Sequence, residues 1–291
     1  MSGLTMFRHL MLDRFWPSAV ARAPEPALVM EDARQVESFM RAGREDGILA
    51  FTYFYNALQT LQHLRPGDTV LDLGCGPANQ LACIARMHPQ THFVGVDASA
   101  AMLEEARATA ARSGLTNLSF RLGDIRRLEG FASASVDAVI STLSLHHLPD
   151  LAGLEACFRE IRRVLRPGGG LFLTDFGRLR RVPTQEFFAR DRAAEQPALF
   201  TQDYRNSLAA AFSYAEFARM RGLLGEGVAL RRTWIAPFMV TLHGAPRATP
   251  GESDLTRMRE IFGRLGPDQQ RDFRDFARLF AMGGLALPYQ P

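Results

Sequence analysis

Val70-Leu71-Asp72-Leu73-Gly74-Cys75-Gly76-Pro77-Ala78-Asn79 is followed, one helix later, by Val94-Gly95-Val96-Asp97. The order reads as a buried strand, a glycine turn, a helix, and a second strand ending in a carboxylate. Glycines at 74 and 76 let the backbone approach a ligand where a Cβ would collide, and a carboxylate at the next strand end can accept both hydroxyls of a ribose. The pattern proposes a nucleoside site on an α/β scaffold.

The alternation continues outward from that stretch. Across 68–176 short apolar runs alternate with helical patterns, as in repeated βαβ units around a parallel sheet. Strands are expected at 69–73, 92–97, 118–122, 136–142 and 170–175. The first helix is expected to begin with Pro77, favourable in a first turn, and to halt before Pro89. Ser99 is placed to cap the second helix, which ends at Gly114. Asp150 is placed to cap the fourth, with Leu154, Cys157, Phe158, Ile161 and Leu165 on one face and a stop before Pro167. Upstream, Ile48, Phe51, Tyr55, Leu58 and Leu61 recur at helical spacing. Downstream, 184–224 reads as two or three helices, 228–234 and 238–242 as a hairpin around Ala236-Pro237, and 255–265 and 268–280 as amphipathic helices broken at Gly266-Pro267. No internal repeat or low-complexity linker separates these parts.

Composition narrows the class. In 291 residues, 47% hydrophobic, a well-buried core is expected. The three cysteines, Cys75, Cys83 and Cys157, lack metal-ligand spacing and sit in apolar patterns. Neither a disulfide nor a structural zinc is expected, as suits reduced thiols in a cytosol. All 34 basic residues are arginine, which excludes a lysine base or Schiff base and reads as GC-rich coding in keeping with a bacterial source. The 31 acids are interleaved with them, so no nucleic-acid partner is expected. Residues 1–16 carry arginine, histidine and aspartate through their apolar part, and the uncharged run 47–64 is too polar to span a bilayer well. A soluble cytoplasmic protein without a membrane partner is expected.

The turn discriminates between nucleosides. A dinucleotide fingerprint GxGxxG would place its third glycine at position 79, where this chain has asparagine. Pro77 also removes one of the free N–H groups that a pyrophosphate seeks. Both features disfavour NAD.

At this point the chain resembles the class I S-adenosylmethionine-dependent methyltransferases. Val70-Leu71-Asp72-Leu73-Gly74-Cys75-Gly76 is similar to motif I of that family, with Ala78 where a third glycine is usual. Gly95-Val96-Asp97-Ala98-Ser99 with Met102-Leu103 resembles the ribose segment, and Gly123-Asp124-Ile125 the adenine segment. Ser135-Val136-Asp137-Ala138-Val139-Ile140-Ser141, then Leu145-His146-His147-Leu148-Pro149-Asp150, resembles strand four and its loop. Arg163-Val164-Leu165-Arg166-Pro167-Gly168-Gly169-Gly170 resembles the turn before strand five. The likeness covers about 66–176 in the family's order, nearest to the ubiquinone/menaquinone-methyltransferase-like branch of methyltransferase domain 11/25 type.

That resemblance implies an α/β fold: a Rossmann-like, doubly wound, mostly parallel seven-stranded sheet with helical N-terminal, inserted and C-terminal extensions. It implies a helical cap over 1–65 packed on the core, a class I methyltransferase domain at 66–245 with a helical insertion at about 184–212, and a helical extension over 246–291. It implies S-adenosyl-L-methionine as cofactor, S-adenosyl-L-homocysteine as product, and no metal. Asp72, Gly74, Cys75, Gly76 and Asn79 would meet the methionine moiety, Asp97 and Ala98 the ribose, Met102 the adenosine, and Asp124 with Ile125 the adenine. Ser141 would border the cofactor from the end of the fourth strand.

Methyl transfer from a sulfonium is an in-line displacement, in which positioning and water exclusion do much of the work. A base is needed only when the acceptor arrives protonated. His146 and His147 follow the fourth strand, at the edge where open α/β sheets bind ligands, and are the candidate proton acceptors; the alternative is that they shape the loop. Tyr53 and Tyr55 either roof the site or pack in the core. Arg178, with Arg180 and Arg181, either recognises an anionic acceptor or forms a solvated loop. Tyr204, with Arg205 and Asn206, lies in the segment expected to cover the acceptor. The Asn/Asp-Pro-Pro-aromatic signature of base-modifying enzymes is missing after strand four, where Ser141-Thr142-Leu143-Ser144 stands, and the cysteine set of arsenic methylation is missing too. A small-molecule acceptor methylated on O, N, S or C is expected, in a monomer or homodimer. The alternatives are non-methylating chemistry on the same cofactor site, a nucleoside sensor without turnover, and a disfavoured NAD-linked oxidoreductase.

Overall fold

In the computed structural model, which describes residues 3–27, 29–43 and 47–291, the apolar runs assemble into one sheet of seven strands. Residues 1–2, 28 and 44–46 of the expected N-terminal cap lie outside the described residues. The strands are β1 (Thr69–Leu73), β2 (His92–Asp97), β3 (Leu118–Leu122), β4 (Val136–Thr142), β5 (Leu165–Phe176), β6 (Ala229–Arg232) and β7 (Met239–His243). Their order is β3-β2-β1-β4-β5-β7-β6. β1 to β5 run parallel, and β7 is antiparallel to both neighbours. The chain order reverses beside β1 and β4, so the crevice at their carboxyl ends is where a ligand belongs.

Helices α4 (Asn79–Met87), α5 (Ala100–Arg112) and α6 (Leu151–Val164) make the crossovers. Ser99 caps α5 through an N–H of Met102, and Asp150 caps α6 through that of Gly153, as their positions before apolar periodic runs predict. α4 starts later than expected. Ala78 adopts a left-handed conformation (φ 60°) as its N-cap, so Pro77 belongs to the turn and not to the helix. The fifth strand starts earlier than the expected residue 170. Leu165 already pairs with Val136, and an irregularity between Val136 and Ala138 absorbs the Pro167-Gly168-Gly169 turn.

The flanking helices are α1 (Gly3–Arg14), α2 (Ala33–Ala42) and α3 (Ala50–Thr60) upstream. α7 (Val182–Ala189), α8 (Ala198–Ala210) and α9 (Tyr214–Met220) lie between β5 and β6, and α10 (Glu252–Arg264) and α11 (Pro267–Met282) close the chain. One apolar core joins them to the sheet: Leu10, Phe54, Tyr55, Phe273 and Phe280 share a cluster with Val70, Phe93 and Phe172. A second, on the opposite face, packs α6 and α9 through Phe158, Ile161 and Phe217 against Leu71, Val139 and Leu173. Among the described residues no helix is long and apolar enough to cross a membrane.

α11 carries the clearest test of this packing. Phe273 is fully buried, tilted against Phe54 at 5.3 Å between ring centroids and edge-on to Phe262 at 5.2 Å. Phe273→Ala is expected to lower unfolding stability by about 3–5 kcal/mol in urea melts, through lost burial and a residual cavity. A loss under about 1 kcal/mol would mean that α11 is not part of the core.

Candidate active site

The glycine turn is held by geometry on three sides. Gly74 and Cys75 both donate main-chain N–H groups to Val96 O, at 2.8 and 3.1 Å, which draws the turn over the end of β2. Gly74 has φ +68°, and a Cβ there would stand 2.4 Å from Ser144 Cβ. Gly95 has no side chain because Cys75 fills that volume: a Cβ would lie 2.7 Å from Cys75 Sγ. Burial beside Asp72 and Asp97 pushes the Cys75 thiol far up, so it is a filler and not a nucleophile.

Two carboxylates converge here. Asp97 Oδ2 accepts from Gly76 N (2.8 Å) and Oδ1 from Ser99 N (2.9 Å). Desolvation raises its pKa against those bonds. Asp72 is buried, with no hydrogen bond to its carboxylate among the described residues. Burial and, secondly, the charge of Asp97 push it up to about 7. Such a pair lacks a cation. Asn79, on the first turn of α4, adds a buried Nδ2 with no hydrogen-bond partner. Gly76 (φ +51°) has open space where a Cβ would be, the nearest atom being Phe39 Cε1 at 3.9 Å. These unmet requirements fit S-adenosylmethionine, which brings a sulfonium, an α-ammonium, an α-carboxylate and ribose hydroxyls to one place.

The other residues expected at the cofactor divide. Met102 is buried against Val36 and Met40 of α2, which roofs this edge of the sheet, and Ser99 Oγ donates to Met30 O at 2.7 Å. Ala98 is exposed beside Asp97, and Ile125 is half-buried against the second core. Two of them already have protein partners. Ser141 is fully buried, and its hydroxyl serves Leu73 O (2.9 Å) and Ser144 Oγ (2.6 Å), bracing the end of β1. The Asp124 carboxylate is taken by the Arg126 guanidinium at 2.7 to 3.0 Å and by Arg126 N, which holds its pKa down.

Beyond the turn, at the carboxyl ends of β4 and β5, lies a cavity of about 560 Å³. Its apolar wall includes Leu143, Phe176, Phe188, Phe200, Phe238 and Phe276; His146 and His147 form one polar side, Tyr204 and Ser207 of α8 another. His146 is buried. Its Nδ1 lies 2.6 Å from Asp175 Oδ1, and its main-chain N–H donates to Asp175 Oδ2 at 3.0 Å. Burial opposes protonation of the ring, but the Asp175 and Glu25 charges outweigh it and the pKa is raised. His147, tilted against it with ring centroids 4.3 Å apart, is held well below the usual range by burial and by the neighbouring charge. The two histidines therefore differ: one is oriented by Asp175 and shifted toward holding a proton, the other shifted away from it.

Of the expected acceptor contacts, Tyr204 lines the cavity beside Phe176 and Phe200. Tyr53 is buried near Asp72, whose charge, after burial, raises its pKa further. Tyr55 takes the core-packing alternative: it stacks on Phe280 at 5.0 Å and donates to Leu285 O, deep in the α3–α11 core. Arg178 stands away from the cavity: its guanidinium pairs with Glu216 at 3.2 Å. Arg180 and Arg181 hold Trp16, through its carbonyl and its ring respectively. Sequence reasoning missed Glu25 and Asp175. Asp175 had a legible signal, a carboxylate at the carboxyl end of a parallel strand. Glu25 had none, since an extended segment carries it to the site.

Comparison with known proteins agrees with this geometry. Residues 64–212 match the family model described as a methyltransferase domain. The trans-aconitate 2-methyltransferase of Deinococcus radiodurans is 44% identical over 114 residues, 39% of this chain and 40% of that protein. The arsenite methyltransferase of Halobacterium salinarum is 37% identical over 113 residues, 38% of this chain and 28% of that protein. The chain thus spans well under half the length of these relatives. The plantazolicin methyltransferase BpumL, solved with SAH, shares the fold at a TM-score of 0.52 and 16% identity, covering 94% of this chain and 91% of that one.

The Asp72–Asp97 pair makes cofactor binding proton-linked. A cation beside Asp72 favours its ionised form, so binding at pH 7 releases a fraction of a proton, and affinity for S-adenosylmethionine rises from pH 6 to pH 8. Calorimetry in two buffers of different ionisation enthalpy measures the release. In Asp72→Asn the linkage is expected to vanish and affinity to fall at least tenfold.

Proposed function

The chain belongs to the methyltransferase domain family, and from that premise we propose that it is an S-adenosylmethionine-dependent methyltransferase acting on a small, largely apolar acceptor that gives up a proton, on oxygen or an acidic carbon. The observation that carries this reading is the aromatic cavity bordered by an oriented histidine. Bound cofactor supplies an electrophilic methyl group on sulfur. Everything else falls to this chain's own side chains.

We assign the Asp72, Gly74–Asn79 and Asp97 edge to holding the cofactor, with α2 excluding water above it. Phe176, Phe200 and Phe238 orient the acceptor by apolar contact, and Tyr204 borders it from α8. His146 takes the acceptor's proton on Nε2, while Asp175 holds Nδ1, fixes the tautomer and stabilises the imidazolium that forms. With Arg178 turned onto Glu216, the cavity offers no support for an anionic acceptor from that residue.

Methyl transfer from labelled S-adenosylmethionine into a panel of phenols and other apolar hydroxylated compounds tests the reading. With acceptor saturating, His146→Gln is expected to cut kcat about 100-fold or more. Asp175→Asn is expected to cut it at least tenfold, with cofactor affinity unchanged in both. Less than tenfold loss in both His146→Gln and His147→Gln would reject a histidine base.

A further inference from the structure

The place where the N-terminal segment meets the loop after β4 carries a second chemistry. A carboxylate oxygen of Glu25, a ring nitrogen of His146 and one of His147 all lie within 4.8 Å of one another. Donors bound at about 2.0–2.2 Å around one ion stand about 3–4 Å apart, so a small rotation of these side chains closes the set. We propose that Glu25, His146 and His147 form a binding site for a divalent ion of the zinc class, which fastens the N-terminal segment over the cavity.

The donor chemistry favours such an ion. Two imidazoles and one carboxylate suit zinc and its neighbours, whereas magnesium prefers an all-oxygen shell. Asp175 engages Nδ1 of His146, which leaves Nε2 as the donor and supplies the outer carboxylate that orients metal-bound histidines. Ser207 Oγ donates to Glu25 Oε1 at 2.8 Å and fixes that carboxylate in turn. The His147 ring has no hydrogen-bond partner among the described residues and lies beside the His146 ring, 4.3 Å between centroids. Three protein donors leave a fourth position open toward the cavity.

The frame that carries the donors is already braced. Arg22 donates to the carbonyls of His146 (2.9 Å), Leu148 (2.5 Å), Pro149 (2.6 Å) and Ala210 (2.6 Å), and its guanidinium lies 4.1 Å from the centre of the Phe212 ring. Ala23 N donates to Ala209 O at 3.0 Å. An ion joining Glu25 to both histidines would lock the same segment from its other side. It would take the lone pair of His146 that proton acceptance uses, so ion and proton occupy that nitrogen in turn. This goes beyond the methyl-transfer reading and does not depend on it. The sequence expectation of no metal came from cysteine spacing and the family resemblance, to which Glu25, far away in the chain, contributes no signal.

The test uses the full chain, stripped with chelator and free of tag histidines, without cofactor or acceptor. Zinc is titrated in competition with a chromophoric chelator, and trypsin cleavage after Arg22 is timed with and without zinc. One zinc per chain is expected. Glu25→Gln and His147→Asn should each weaken it at least tenfold, Asp175→Asn about 10- to 100-fold, and the exposed His92→Asn not at all. Glu25→Asp, which keeps a carboxylate, should recover part of the loss, and zinc should slow cleavage in the wild type but not in Glu25→Gln. Absence of stoichiometric zinc, or equal affinity in wild type, Glu25→Gln and His147→Asn, overturns the proposal. S-adenosylhomocysteine binding, measured on the same preparation, reports separately on the methyltransferase reading.

Discussion

Two carboxylates held at adjacent strand ends, without a cation between them, are the constraint on which this site depends. Asp72 pairs in register with Gly95 on β2, and Asp97 follows two residues later. The parallel pairing of β1 and β2 therefore delivers both acids to one edge. Backbone N–H groups from Gly76 and Ser99 partly answer Asp97; among the described residues nothing comparable answers Asp72. Folding leaves a local excess of negative charge where the chain reverses its sheet order, which is where open α/β sheets take their ligands. A cationic nucleoside resolves that excess, while a pyrophosphate aggravates it. The choice between S-adenosylmethionine and a dinucleotide thus rests on charge as well as on the glycine pattern.

A second constraint sets the chemistry next door. β4 and β5 place the His146 loop and Asp175 side by side, and the main-chain bond from His146 to the same carboxylate removes the freedom of both. The cavity beyond them is closed by parts of the chain that are not in the sheet: α8, α11 and the extended segment through Arg22 and Glu25. Sheet and cover have separate roles. In the proposed reading the sheet holds cofactor and base, while the cover shapes the acceptor space and excludes water, which strengthens every polar interaction inside.

The central sheet was legible because its signals are local. The bounds of β1 to β4, the caps at Ser99 and Asp150, and the break at Pro267 follow from periodicity, cap chemistry and proline. β5 was foreshortened because its first pairing crosses a proline-glycine turn that reads as a stop. Within the site, the turn residues stand where the pairing of β1 with β2 carries them, whereas Ser141, Asp124, Tyr55 and Arg178 engage protein partners of their own. An arginine two residues away neutralises Asp124, and Glu216 on α9 captures Arg178. Asp175 and Glu25 escaped for the complementary reason: tertiary packing gives them their roles.

Calorimetric titration of the full chain with S-adenosylmethionine, S-adenosylhomocysteine and NAD tests the central claim most directly. The charge argument predicts that both sulfur nucleosides bind, that the sulfonium gains more than the thioether as pH rises from 6 to 8, and that NAD does not bind. Binding of NAD with neither sulfur nucleoside would contradict it.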